Sequence, residues 1–198
     1  AEETYQQTDS QETLKAVINT DWGRPYLRRR AATQRSSERL ADRSEDYQRR
    51  TVPQGVRFLT AAVDVQGGKD RRFVVQIQGW GAHRECWVID RFNIKEDRGP
   101  DNDQEPRPIS PATQPEDWDL LTRDVLLRSY KLEDGSGRRM PVASIAVDTG
   151  GEGEGEESVT SQAYDWHRRL RRDGLQSRAF LVKGSSTRGS SRVRKTWP

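Results

Sequence analysis

Between Arg57 and Phe92 the apolar residues fall in three short runs, Arg57 to Val65, Phe73 to Trp80 and Arg84 to Phe92. This spacing limits the fold more than any other feature. The gaps are Gln66-Gly67-Gly68-Lys69-Asp70 and Gly81-Ala82-His83. Parallel neighbours need a crossover of about a dozen residues or more, so the three runs are expected to pair as an antiparallel meander. A Pro- and Asp-rich loop follows over residues 98–114, and Pro115 then opens a helix with Trp118, Leu121, Val125 and Leu132 along one side. Pro141 to Asp148 reads as a fourth strand. An acidic glycine loop over residues 150–157 leads into a second amphipathic helix that carries Val159, Ala163, Trp166 and Leu170. Gly174 stops that helix, and Arg178 to Val182 forms a fifth strand.

Three antiparallel strands, then helix, strand, helix and strand, is the element order of the ribonuclease H-like fold. The expected class is α/β, with a mixed five-stranded sheet flanked by helices. The helical crossover sets the fourth strand parallel to the first.

Ahead of Arg57 the pattern is different. Residues 1–56 are charged and carry two helical stretches, one with Leu14, Val17 and Ile18 behind a capping Asp9-Ser10, the other from about Ser36 to Arg50. Pro53-Gln54-Gly55 punctuates the entry to the first strand. We therefore read residues 1–56 as a connector and 57–198 as the folded domain. Only 31% of the chain is hydrophobic and 33% is charged, which fits a compact core with solvated loops or arms. The net charge of +3 comes from 34 basic and 31 acidic residues, so affinity for a polyanion must come from local clusters. The single cysteine, Cys86, excludes an intramolecular disulfide and fits a reducing compartment. No apolar run approaches the roughly 20 residues that cross a bilayer, so an intracellular protein without a membrane partner is expected. The start at Ala1 and the Gly/Ser-rich run before Trp197-Pro198 read as cuts in a longer polypeptide.

Two strand ends match. Ala62-Val63-Asp64-Val65-Gln66-Gly67-Gly68 and Ala146-Val147-Asp148-Thr149-Gly150-Gly151 each place one carboxylate at the carboxyl end of an apolar strand. Burying an unpaired carboxylate costs several kcal/mol. If the two strands are neighbours, the carboxylates lie at one sheet edge about 4.8 Å apart in strand spacing. Two anions so close call for a cation, and hard oxygen ligands suit Mg2+ or Mn2+. A pair of ions at such a site serves phosphodiester hydrolysis, with Asp64 bridging both and Asp148 holding one. The glycines let a phosphate backbone approach. The competing reading is that each aspartate caps the turn after its strand.

Resemblance to a known family extends over nearly the whole chain. It is carried by Leu14-Lys15-Ala16-Val17-Ile18-Asn19-Thr20, Trp22-Gly23-Arg24-Pro25, Arg43-Ser44-Glu45-Asp46-Tyr47, Val52-Pro53-Gln54-Gly55-Val56 and Leu59-Thr60-Ala61-Ala62-Val63-Asp64-Val65-Gln66. Further along come Gly79-Trp80-Gly81, Glu85-Cys86-Trp87-Val88-Ile89-Asp90, Ala146-Val147-Asp148-Thr149-Gly150-Gly151 and Lys183-Gly184-Ser185. The sequence resembles the lambda-type (GpA-like) bacteriophage terminase large subunits. That resemblance implies an amino-terminal ATPase that drives DNA into a procapsid and a carboxyl-terminal ribonuclease H-like nuclease that cuts concatemeric double-stranded DNA. It also implies work with a small terminase subunit and a portal in the cytoplasm of the host cell. No Gly-x-x-x-x-Gly-Lys-Ser/Thr loop is present, so the ATPase half is absent and residues 1–56 would connect to it. Of the family's three acidic positions, Asp64 and Asp148 match two, and the third is expected in a later helix beyond this chain. Asp90 and Glu152 are weaker candidates for a substitute metal ligand. Asp90 ends the third strand at the same sheet edge but is expected two strands from Asp64, and Glu152, like Glu154 and Glu156, sits in the acidic loop.

Lys183, Arg188, Arg192, Arg194 and Lys195 form a basic arm among glycines and serines with no acid between them. It reads either as a DNA-binding arm making sequence-independent phosphate contacts or as a solvated tail. Arg168, Arg169, Arg171 and Arg172 read as an exposed helix face. His83 and His167 lack metal-ligand company. Two other functions stay open: a non-catalytic module of the same fold that docks on DNA or the portal, and another ribonuclease H-like nuclease of resolvase or integrase type.

Overall fold

The computed structural model describes residues 11–20, 41–42, 44–99, 101, 104–150, 153–154 and 157–184. The chain forms two compact units, Ala1–Asp46 and Tyr47–Pro198. In the first, helix α1 spans Gln11–Thr20, where the apolar spacing predicts it; the Asp9-Ser10 cap lies outside the described residues. The second predicted helix does not reach Arg50. Residues 44–48 have no regular structure and residues 49–50 form a turn, while most of the remainder of that stretch lies outside the described residues.

Within the second unit the strands are β1 (Thr51–Val52), β2 (Phe58–Gln66), β3 (Arg72–Trp80), β4 (Cys86–Ile94), β5 (Glu96–Asp97), β6 (Arg107–Pro108), β7 (Ser129–Leu132), β8 (Arg139–Asp148), β9 (Gly153–Glu154), β10 (Glu157–Ser158) and β11 (Ala179–Val182). One seven-stranded mixed sheet has the order β1-β7-β8-β2-β3-β4, with β11 beside β8. As expected, β2, β3 and β4 form an antiparallel meander and β8 runs parallel to β2. Strand β11 runs parallel to β8. The architecture is mixed α/β, with a large mixed sheet and few helices. Two further two-stranded ribbons, β5-β6 and β9-β10, form in segments that read as loops in the sequence.

Alternation sorts each long strand into a core face and an open face. Leu59, Ala61, Val63 and Val65 of β2 are buried, as are Phe73, Val75 and Ile77 of β3 and Val142, Ile145 and Val147 of β8. The core is closed by helical segment α2, residues 115–126, and by helix α3, Val159–Arg169. Trp118 of α2 meets Phe73 edge-on at 5.4 Å and Trp166 of α3 at 5.9 Å, so one aromatic stack ties both helices to the sheet. The indoles are also satisfied: Trp118 Nε1 donates to the Pro111 carbonyl and Trp166 Nε1 to Thr122 Oγ1. Ser158 caps α3 by accepting from the Ser161 amide, and His167, Arg168 and Arg169 in the last turn complement the helix dipole.

One predicted element changes type. The helix opened by Pro115 ends in a π-turn at Thr122–Leu126, and Leu132 belongs to strand β7. Tyr130 and Leu132 are two residues apart and share a strand face, whereas the sequence reading counted Leu132 as two helical turns beyond Val125. Pairing with β8 decides the outcome, with Ser129 opposite Pro141 and Lys131 opposite Arg139.

Two bulges shift the alternation. Opposite Leu59 and Thr60, β8 takes an extra residue, so that Val142 and Ile145 are both buried and Ala146 and Asp148 fall on the open face. In β4 the register shifts between Ile77 and Gln78, which burns one residue, Ile89, without a partner. No described helix is long and apolar enough to cross a membrane.

Candidate metal centre

Val63 of β2 pairs with Val147 of β8, and one step further along both strands stand Asp64 and Asp148. Because the valines point into the core, the aspartates point to the open face, side by side at about one strand spacing of ~4.8 Å. The same parity places Ala62 and Ala146 on that face, directly behind the aspartates. Their small side chains leave a shallow depression of about 370 Å³ that both carboxylates line, together with Val74, Gln76, Arg91 and Val182.

The two carboxylates are steadied from their own strand ends. Gln66 Nε2 donates to Asp64 Oδ2, and the Gly150 amide donates to Asp148 Oδ1 at 2.9 Å. A Cβ at Gly150 would sit 3.2 Å from that Asp148 oxygen, so the glycine lets the backbone close on the carboxylate. The sequence argument for a cation leaned on burial. Instead Asp64 is exposed and Asp148 half-buried, so desolvation does not carry the argument. What carries it is two hard anionic donors held side by side on one face, a set that fits Mg2+ or Mn2+. Among the described residues no group of three His, Cys, Asp or Glu side chains surrounds a single point, so water and phosphate oxygens would complete such a shell.

The structure does not bring Asp90 to this pair. It pairs across the bulge with the buried Ile77 and faces the covered side of the sheet, the opposite face from Asp64. There its side chain is fully buried, ion-paired to Arg50 at 3.2 Å, Arg49 at 3.6 Å and Arg128 at 3.9 Å, and it accepts from the Tyr130 hydroxyl. Burial above all, with Asp90 adding to it, pushes the Tyr130 phenol above the ordinary range, so it stays a donor. The guanidinium of Arg128 also lies over the rings of Phe92 and Tyr130. Tyr47 Oη donates to the Val88 carbonyl and Arg49 to the Arg91 carbonyl, so Asp90 is the centre of a clasp holding residues 47–52 against β4.

Glu152 lies outside the described residues, as do Arg188, Arg192, Arg194 and Lys195 of the basic arm; Lys183 is described and exposed just past β11. Gln66, Gln76 and Arg91 are site residues that the sequence reading missed. Gln66 carried a signal, since it stands two residues beyond Asp64 on the same strand face. Arg91 carried none, because its side depends on the β4 bulge.

Over residues 1–198 the chain matches the family described as "Terminase large subunit gpA, endonuclease domain". The "Terminase, large subunit" of Escherichia phage lambda is similar to it, 28% identical over 137 residues, which is 69% of this chain and 18% of that protein. The chain thus spans about a fifth of its relative's length. No solved structure matches.

Proposed function

Because the chain belongs to the family of the terminase large subunit gpA endonuclease domain, we propose that it is a two-metal-ion endodeoxyribonuclease acting on concatemeric double-stranded viral DNA during packaging. The observation that carries this reading is the in-register placement of Asp64 and Asp148 on neighbouring parallel strands, facing one open depression. Asp64 and Asp148 would hold Mg2+ or Mn2+, as a pair of ions. Bound there, the ions supply activation of water on one side of the phosphorus and charge neutralisation at the leaving oxygen. The chain's own part is positional. Gln66 and the Gly150 amide fix the orientation of each carboxylate, and Ala62 and Ala146 keep the floor low enough for a phosphodiester to reach them. Sheet order also supports a ribonuclease H-like assignment, since β4-β3-β2-β8-β11 is three antiparallel strands followed by two parallel ones.

In this reading residues 57–198 are the nuclease domain and residues 1–56 the connector to an ATPase domain of the same full-length chain. The partners are double-stranded DNA, the small terminase subunit and the portal of the procapsid, met in the host cytoplasm. Lys183, Arg188, Arg192, Arg194 and Lys195 add phosphate contacts from the arm.

Plasmid cleavage in Mg2+ or Mn2+ tests the proposal. Asp64→Ala and Asp148→Ala are each expected to abolish nicking while leaving the thermal melt unchanged, and chelation is expected to do the same to the wild type. Normal cutting by either variant would overturn the assignment.

A further inference from the structure

We propose that Arg91 is a DNA-backbone contact of this site, gripping a phosphate that flanks the scissile one; the inference rests on the nuclease reading above. The bulge in β4 is what places it. Ile77 faces Asp90 and Gln78 faces Val88, which leaves Ile89 as the extra residue. Ile89 and Asp90 are consequently both buried, at 0% and 1% exposure, and Arg91 emerges on the open face. A regular strand with Ile89 in the core would turn Asp90 outward and Arg91 inward. The bulge therefore exchanges an acid for a base on the face that carries Asp64 and Asp148, a use of bulges that recurs beside functional sites.

Position and charge both fit a substrate contact. Arg91 stands opposite Gln76, in the row of open-face residues that continues through Ala62 to Ala146, immediately behind the two aspartates. It lines the same depression as they do. Two strand spacings, roughly 10 Å, separate its strand from that of Asp64. That spacing suits a neighbouring phosphate of a strand laid over the pair. Its backbone is pinned on both sides, the amide donating to Asp90 Oδ1 at 3.0 Å and the carbonyl accepting from Arg49 at 2.9 Å.

The arginines around it are already engaged. Arg49, Arg50 and Arg128 converge on Asp90, while no carboxylate of the described residues pairs with Arg91. An exposed guanidinium beside two carboxylates that by themselves repel DNA offers a fork matched to phosphate oxygens.

The test is duplex binding by the whole chain in Ca2+ across a salt series, with cleavage kinetics in Mg2+. Arg91→Gln is expected to weaken binding roughly tenfold, to lower the slope of log K against log salt by about 0.9, and to raise KM with kcat little changed. Arg91→Lys should recover most of the slope. If Arg91→Gln binds with the wild-type slope and affinity, or loses only thermal stability with the slope intact, the inference is wrong. Asp64→Asn and the wild type in the same series separate the two readings: failure of the wild type to cleave would remove the nuclease assignment, cleavage by Asp64→Asn would remove Asp64 from the metal site, and the Arg91 slope alone decides the phosphate contact.

Discussion

The two Ala-Val-Asp triplets divide their side chains between the faces of the sheet: valine fills the core, aspartate reaches the open side, and alanine keeps the space behind it empty. Replacing the alanine should therefore damage the site while sparing the fold. Ala62→Leu or Ala146→Leu is expected to fill the depression and depress cleavage at least about 100-fold, a loss comparable to removing a charge-stabilising group, with a melting temperature close to wild type. A matched fall in stability would contradict the placement of these residues on the open face. Asp90 predicts the reverse behaviour. Its removal breaks a buried, multiply paired carboxylate, but Arg49 and Arg50 are 69% and 55% exposed and can return to water. Asp90→Ala should cost about 2 kcal/mol in urea unfolding, with cleavage per folded molecule retained. Tyr130, beside Asp90, gives a pH signature. Its folded pKa is raised, so the stability it contributes is complete below the unfolded value near 10 and is lost as pH climbs from there through the higher folded value. The alkaline decline in melting temperature should be shallower in Tyr130→Phe.

At the scale of elements, the aromatic stack of Phe73, Trp118 and Trp166 is what attaches α2 and α3 to the core side. Trp166→Ala should cost about 3–5 kcal/mol, read by chemical denaturation; a change under 1 kcal/mol would mean that α3 is held by something else. These anchors were legible in the sequence because they recur at helical spacing, and the meander was legible because its hairpins are short. Leu132 was misread because a residue seven beyond Val125 satisfies a helical count and, two beyond Tyr130, a strand count equally well. Local pattern does not decide between them, and pairing with β8 does. The bulges were hidden for a similar reason. Nothing in Val88-Ile89-Asp90-Arg91 shows which residue is the extra one, since that depends on Ile77 and Gln78 across the ladder. So Asp90 read as lying at the edge shared with Asp64, while Arg91 went unnoticed.

For the whole molecule, the proposed function depends on two segments distant in sequence meeting at one edge, and on an open sheet face broad enough for a polyanion. Phe58, Val88, Phe180 and Val182 are all left exposed on that face. With a net charge of only +3, attraction for DNA must be local. Replacing Lys183, Arg188, Arg192, Arg194 and Lys195 by glutamine should flatten the salt dependence of duplex binding by up to about 0.9 per lost phosphate contact. An unchanged slope would remove the arm from the interface. The central claim is that Asp64 and Asp148 jointly hold divalent cations. Anomalous diffraction from crystals soaked in Mn2+ tests it most directly: density shared between the two carboxylates is the expected result, and Mn2+ bound elsewhere, with the pair bare, would contradict it.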